Sequence, residues 1–159
     1  MAFTLNYIIL SLNYKNGDFM KEIIELLTKN KQTISTMESC LGGALANSIT
    51  NIEGASEVFN FSAITYSNKY KIKMGVSKET IDKYTVYSKE VANEMSKCIT
   101  EYTDSDYGIG VTGKLNRVDR FNPYGDDNIV YVSIYRKQDD TYHNATVECT
   151  KSTRKDNKE

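Results

Sequence analysis

The stretch Ser35-Thr-Met-Glu-Ser-Cys-Leu-Gly-Gly43 is where a short apolar run ends and a helical pattern begins. A brief strand is expected over 33–37, and from Cys40 the apolar residues recur at helical spacing. Ser39 therefore stands at a strand-to-helix turn, where the free N–H groups of the first helical turn carry partial positive charge. A hydroxyl at such a turn can attack a carbonyl while N–H groups hold the oxyanion. It can equally be an ordinary N-cap.

Helical and strand patterns alternate on both sides of this turn. Helices are expected over 18–29, 80–84 and from Ser88 onward, and strands over 59–66, 107–112, 129–136 and 142–149, the last two as a hairpin. No repeat or linker divides the pattern, so we expect one α/β domain over 18–150 with helices on both faces of a mixed sheet. Residues 1–17 are expected to form an arm or short strand, and residues 151–159 a polar tail.

Three strand ends should meet in one crevice. In a sheet of this kind, ligands bind beyond the carboxyl ends of parallel strands. That rule brings together the turn at Ser39, the turn over 66–71 and the turn at Thr112-Gly113. The segment from Lys114 to Asn128 is the longest irregular stretch, and long loops in compact domains are often functional.

The composition limits the chemistry and the partners. Lysine and arginine number 20 against 21 acidic residues, a balance that gives no charge signal for nucleic acid or a membrane surface. Partners should be small molecules or proteins. Three widely spaced cysteines without a C-x-x-C motif favour a reducing compartment, so we expect a cytosolic protein. The single histidine, His143, excludes a histidine-rich metal site.

A serine nucleophile at this turn needs a general base, and the chain has only one histidine to offer. His143 lies in a late strand-like segment, where an exposed position is the simpler interpretation. Lysine or tyrosine is then the better candidate, and Tyr66 and Lys71 both follow the strand that ends in the crevice. A buried lysine can lose its proton near neutral pH. The alternatives are a half-buried strand tyrosine and a lysine on a solvated, charged surface.

Other residues beside the turn also allow two interpretations. Glu38 either orients a polar ligand group or caps the helix. Cys40 is either a second nucleophile or, as we prefer, a small buried hydrophobe. The cations of the 114–120 segment, Arg117 among them, either contact a phosphate or are solvated.

Five motifs in order resemble the C-terminal domain of the CinA (competence/damage-inducible) family, over about residues 18–149. They are Met37 to Gly43, Gly54-Ala-Ser56, Tyr66-Ser-Asn-Lys-Tyr-Lys71 with Met74-Gly-Val76, Ser88 to Met95, and Thr112-Gly113. Order and spacing agree throughout.

The resemblance implies a three-layer α/β/α sandwich with a mixed, largely parallel sheet. It also implies hydrolysis of the carboxamide of nicotinamide mononucleotide to nicotinate mononucleotide and ammonia, without a metal or other cofactor. Ser39 takes the place of the nucleophile, assisted by Lys71 and Tyr66. Around them the resemblance implies a substrate site to which we assign Glu38, Cys40, Gly42, Gly43, Asn68, Thr112, Gly113, Arg117 and Arg154.

The chain departs from the family in the pocket loop. Residues 114–128 are charged and hold one glycine and one proline, where the family has a glycine- and proline-rich loop. The alternative function is therefore a CinA-like nucleotide-binding or protein-interaction module without turnover. The apolar segment 3–12 further suggests a homodimer or higher homo-oligomer.

Overall fold

A five-stranded mixed sheet forms the centre of the computed structural model, which describes residues 17–158. Its strands are β1 (Ile34–Glu38), β2 (Phe59–Ile64), β3 (Tyr107–Gly113), β4 (Ile129–Arg136) and β5 (Thr141–Glu148). They lie in the order β2-β1-β3-β4-β5. β1 pairs in parallel with β2 and β3, whereas β4 is antiparallel to both of its neighbours. Only β4 therefore runs against the common direction, which confirms the mixed, largely parallel sheet.

Helices cover both faces of this sheet, as the α/β/α prediction requires. They are α1 (Gly17–Asn30), α2 (Ala44–Thr50), α3 (Asn68–Lys73), α4 (Lys78–Tyr84) and α5 (Lys89–Thr103). Leu27 of α1 and Ile49 of α2 share one apolar cluster with Val111 of β3. Met95 of α5 packs with Met37 of β1 in a second cluster on the opposite face. Within residues 17–158, no helix has the length and apolar composition that crossing a membrane requires.

The central strands leave α5 very little room. β1 and β3 are buried along their whole length. Where β3 faces α5 its residues are Gly108 and Gly110, and a Cβ atom on Gly110 would lie 2.2 Å from the carbonyl oxygen of Ala92. The helix backbone therefore rests directly on the strand, and this close approach fixes the position of the end of β3.

The largest difference from the predicted elements is at the central turn. The helical pattern suggested a start at Cys40, but α2 begins at Ala44. Gly42 and Gly43 have φ of 62° and 96°, in the left-handed region that favours glycine and interrupts a right-handed helix. Residues 39–43 consequently form a turn that separates the end of β1 from α2.

The other boundaries follow the sequence patterns closely. Ser88 caps α5 as predicted, its Oγ accepting a hydrogen bond from the Val91 N–H at 3.2 Å. The β4–β5 hairpin is confirmed. β2 ends at Ile64, two residues earlier than predicted, because the chain turns after Thr65 into α3. The predicted arm over 3–12 lies outside the described residues.

Candidate active site

The three predicted turns meet in one cleft at the carboxyl ends of β1, β2 and β3. Ser39 comes from the first turn, Tyr66 from the second and Gly113 from the third. The cleft has a volume of about 770 Å³, large enough for a small-molecule ligand. Its wall is made by Ser39, Cys40, Tyr66–Lys69, Tyr87, Gly113, Lys114, Arg117–Asn122 and Arg154.

Ser39 and Lys71 are in direct contact at the bottom of this cleft. Lys71 Nζ lies 2.9 Å from Ser39 Oγ and donates a second hydrogen bond to the Thr65 carbonyl oxygen at 2.6 Å. The Ser39 side chain is nearly buried, and Lys71 is only 1% exposed. The solvated-surface interpretation of Lys71 is therefore wrong. Helix α3 points this lysine inward while its neighbours Tyr70 and Ile72 stay partly exposed.

The environment of Lys71 favours the neutral amine. Burial lowers the pKa of the ammonium from 10.5 to about 8, since desolvation penalises the charged form. No carboxylate contacts Nζ among the described residues, and both of its hydrogen-bond partners are uncharged. In the neutral form one N–H can remain on the Thr65 carbonyl while the nitrogen lone pair faces the Ser39 hydroxyl. This is the arrangement that a general base for serine requires.

Glu38 holds the turn that presents Ser39. Its carboxylate is fully buried and accepts hydrogen bonds from the N–H groups of Gly43, Leu45 and Ala46 at 2.8–3.2 Å. Of the two interpretations of Glu38, these contacts favour the one in which its carboxylate caps the N-terminus of α2. The turn is further closed by the Gly42 N–H, which donates to the Ser39 carbonyl oxygen at 3.1 Å. The N–H groups of Gly42 and Gly43 are thus engaged within the turn and do not open onto the cleft.

Cys40 behaves as a buried hydrophobe. Its side chain belongs to the apolar cluster beneath α1 and α2 and is 3% exposed. Burial raises the pKa of its thiol to about 12, a larger effect than the opposing attraction of the Arg154 charge. A thiol with this pKa stays protonated at neutral pH, which favours the interpretation of Cys40 as a small buried hydrophobe over that of a second nucleophile.

Tyr66 lines the same cleft as Ser39. Its ring is 66% exposed, and its hydroxyl accepts a hydrogen bond from Arg154 Nη2 at 3.3 Å. The same guanidinium reaches the Cys40 carbonyl oxygen at 3.5 Å. Across residues 17–158, no hydrogen bond joins the Tyr66 hydroxyl to Ser39 or Lys71. Arg154 therefore links the chain after β5 to two sides of the cleft, and it places a cation beside the phenol.

The remaining predicted site residues divide into two groups. Gly113, Arg117 and Asn68 line the cleft. Thr112 does not, because it is fully buried and its hydroxyl donates to the Val86 carbonyl oxygen at 2.9 Å. Arg117 also fixes the C-terminal segment, since Nη2 donates to the Ser152 carbonyl oxygen at 3.1 Å.

The unusual loop over 114–128 is closed by a buried lysine. Lys114 Nζ forms an ion pair with Asp127 at 2.7 Å and donates to the Gly125 carbonyl oxygen at 3.2 Å. The ammonium also lies 5.3 Å from the centre of the Tyr87 ring. Lys114, the first residue of the loop, thus binds Gly125 and Asp127 near the end of the loop. Lys114 is 2% exposed, so the solvated interpretation fails for this cation.

Asp119 organises the cleft side of the loop, and sequence reasoning missed it. Its carboxylate accepts hydrogen bonds from the Tyr87 hydroxyl, from Asn122 Nδ2 at 2.9 Å and from the Phe121 N–H at 2.9 Å. Burial acts to raise the pKa of this carboxyl, but these donors outweigh it and hold the pKa at about 2. Tyr87 and Asn122 lie far apart in the sequence, and no local motif marks them as partners.

The cleft is strongly cationic. One carboxylate, Asp119, lies in its wall, and that carboxylate is already surrounded by donors. The cations of the wall are Lys69, Arg117, Arg120 and Arg154, together with Lys114, whose charge is already paired with Asp127. His143 pairs with Ile134 in the hairpin and does not line the cleft. The charges of the wall therefore favour a ligand with negative charge, and the contact between Ser39 and Lys71 lies in the same site.

The sequence matches the family model described as the CinA C-terminal domain over residues 16–158. The "putative competence-damage inducible protein" of Clostridium botulinum (strain Okra / Type B1) is 47% identical over 103 residues, covering 63% of this chain and 25% of that protein. Its counterpart in Thermoanaerobacter pseudethanolicus is 45% identical over 92 residues, covering 57% of this chain and 22% of that protein. The matched segment is thus about a quarter of these curated relatives.

Solved structures share the fold. Competence/damage inducible protein CihA from Agrobacterium tumefaciens superposes with a TM-score of 0.79 at 24% identity, covering 89% of this chain and 86% of that one. A CinA superfamily protein from Escherichia coli gives a TM-score of 0.76 at 22% identity, covering 87% and 79%. At these identities the similarity establishes the fold alone.

Proposed function

Because this chain belongs to the family of CinA C-terminal domains, we propose that it is an amidohydrolase that deamidates nicotinamide mononucleotide. The products are nicotinate mononucleotide and ammonia, and Ser39 is the nucleophile. The observation that carries the proposal is the contact of 2.9 Å between Lys71 Nζ and Ser39 Oγ in a nearly buried site. An amine with a lowered pKa is one of the few groups that can take a serine proton near neutral pH.

The reaction follows from this pair. Neutral Lys71 takes the proton of the Ser39 hydroxyl as Oγ attacks the carboxamide carbon, and the carbonyl oxygen becomes an oxyanion. Collapse of this intermediate breaks the carbon–nitrogen bond, and the proton on Lys71 passes to the leaving nitrogen, which departs as ammonia. Water then hydrolyses the ester on Ser39 by the same steps, with Lys71 again as base.

The rest of the cleft suits a mononucleotide. Phosphate needs cations, and Lys69, Arg117 and Arg120 line the cleft. The pyridine ring needs a flat apolar surface, and Phe121, which also lines the cleft, is almost fully exposed. Arg154 contacts both the Tyr66 hydroxyl and the carbonyl oxygen of Cys40, the residue after Ser39, and a proton donor or a cation there would stabilise charge that develops on the carboxamide.

The direct test is product formation. We expect the purified protein to release ammonia and nicotinate mononucleotide in equal amounts from nicotinamide mononucleotide, measured by coupled ammonia assay and chromatography. Absence of both products above a protein-free blank would reject the amidohydrolase.

The charged 114–128 loop favours a nucleotide-binding module without turnover as the second candidate function, and the same samples test it. That candidate predicts no product but a melting temperature raised by the mononucleotide.

The rate should depend on pH through Lys71. Protonated Lys71 cannot accept the serine proton, so kcat/KM should fall about tenfold per pH unit below the pKa of about 8 and level off above it. Initial rates of ammonia release over roughly pH 6 to 9.5 measure this limb. A flat profile over this range, or a rate that falls as the pH rises from 6 to 8, would show that the neutral amine of Lys71 is not the base.

A further inference from the structure

Two asparagine side chains connect the loop to α3 next to the active serine. Asn122 Nδ2 donates to the Asp119 carboxylate at 2.9 Å, and Asn68 Nδ2 donates to Asn122 Oδ1 at 2.9 Å. Asp119, Asn122 and Asn68 thus form a series of hydrogen bonds that ends in the cleft wall. None of these hydrogen bonds takes part in the proton transfers between Ser39, Lys71 and the substrate.

The charge of Asp119 sets the orientation of both amides. An ionised carboxylate can only accept hydrogen bonds, so Asn122 must turn its nitrogen toward Asp119 and its oxygen toward α3. That oxygen can only accept, and it therefore holds the nitrogen of Asn68. The Tyr87 hydroxyl and the Phe121 N–H donate to the same carboxylate and keep it in place. The negative charge of Asp119 consequently determines which group donates and which accepts in each hydrogen bond of the series.

Asn68 is left with an acceptor for a ligand. Its Oδ1 has no hydrogen-bond partner in the described part of the chain, and Asn68 lines the cleft. Asn68 and Lys71 are three residues apart on α3 and so share one face of that helix. Asn68 therefore stands one helical turn before the lysine that contacts Ser39, and it lines the cleft that also exposes Ser39.

We propose that Asn68 Oδ1 accepts a hydrogen bond from the carboxamide nitrogen of the substrate and thereby distinguishes carboxamide from carboxylate. The proposal rests on the amidohydrolase function and adds a specificity-determining residue to it. The substrate carboxamide has two N–H donors, whereas the carboxylate product has none. A fixed acceptor therefore holds the substrate amide for attack and repels an oxygen of the product. The same contact favours release of the product once ammonia has left.

Binding to a protein that cannot turn over separates this role from catalysis. In the Ser39→Ala background, dissociation constants for nicotinamide mononucleotide and nicotinate mononucleotide are measured by calorimetry. Asn68→Ala should shift the ratio of the two constants roughly tenfold toward the acid, mainly by weakening the amide. Asn122→Ala should shift it in the same direction, because Asn68 can then turn its nitrogen to the ligand. Asn60→Ala, exposed on β2 and outside the cleft, is the matched control.

The ratio of the two dissociation constants distinguishes a specificity role of Asn68 from a structural one. A purely structural role of Asn68 would weaken both ligands equally and leave the ratio unchanged, which overturns the proposal. A Ser39→Ala protein that does not bind the carboxamide overturns it as well. If Asn68→Ala does not fold, Asn122→Ala carries the test alone. Ammonia release by the wild-type protein together with an unchanged ratio would reject this inference and leave the amidohydrolase intact.

Discussion

Replacing Lys71 with methionine is expected to lower kcat for ammonia release about 10³-fold, within the range of 10²–10⁴ that general acid–base groups contribute. Methionine has a similar length and no basic nitrogen, so Ser39 keeps its position but loses the acceptor of its proton. KM should change much less, because Lys71 lies beneath the cleft and is not part of its lining. Steady-state kinetics at about pH 8.5, above the pKa of about 8, measure both constants.

The control for this variant lies two residues further along the same helix. Lys73 is exposed and outside the cleft, so Lys73→Met makes the same side-chain replacement away from Ser39 and should keep the wild-type kcat. Lys71→Met should still fold. At pH 7 it removes a buried ammonium, which offsets the loss of the hydrogen bonds to Ser39 and Thr65. A folded Lys71→Met protein with more than a tenth of the wild-type kcat would exclude Lys71 as the base.

The same burial links the stability of the protein to pH. The folded chain holds the Lys71 proton with a pKa of about 8 and the unfolded chain with one near 10.5. Between these values the unfolded state binds more protons, so this group makes the folded state more stable as the pH rises. Below about pH 8 the lysine is charged in both states and the full cost of burying it remains. At neutral pH the burial of Lys71 therefore makes the folded state less stable.

Local patterns in the sequence were sufficient for most of the fold. The helical spacing after Ser88, the alternation in 129–136 and the hairpin that this strand forms with 142–149 are short-range features, and each produced the expected element. The start of α2 was wrong because two consecutive glycines take left-handed φ values, which spacing of apolar residues does not reveal. The position of a helix end depends here on backbone conformation rather than on hydrophobicity.

The site was only partly predictable, for a physical reason. Lys71 stands in the segment Lys69-Tyr-Lys-Ile-Lys73, whose composition is typical of a solvated surface. Its burial depends on the contact with Ser39, 32 residues away, which no local pattern contains. Asp119 and Tyr87 are likewise joined across 32 residues. The family resemblance suggested the first pair, whereas the contacts of the 114–128 loop became visible only in the structure.

Alanine at Gly110 is expected to destabilise the protein by at least about 3 kcal/mol, the upper part of the range for overpacking. The new Cβ would lie 2.2 Å from the Ala92 carbonyl oxygen and 2.6 Å from the Ser96 nitrogen, both backbone atoms of α5. A helix backbone cannot yield as a flexible side chain would, so α5 must move away from β3. Urea denaturation followed by circular dichroism measures the change in free energy of unfolding.

Gly54→Ala separates this close packing from a general intolerance of alanine. Gly54 has φ of 85°, and a methyl group there would meet no atom within 4 Å, so only backbone strain of about 1–2 kcal/mol should result. At Gly110 the situation is reversed, because the backbone has an ordinary strand conformation but there is no space for a Cβ atom. Because β3 ends at Gly113 in the cleft wall, a displaced α5 should also weaken ligand binding in Gly110→Ala but not in Gly54→Ala. Equal losses of stability in the two variants would contradict the view that direct contact between α5 and β3 holds this wall of the site.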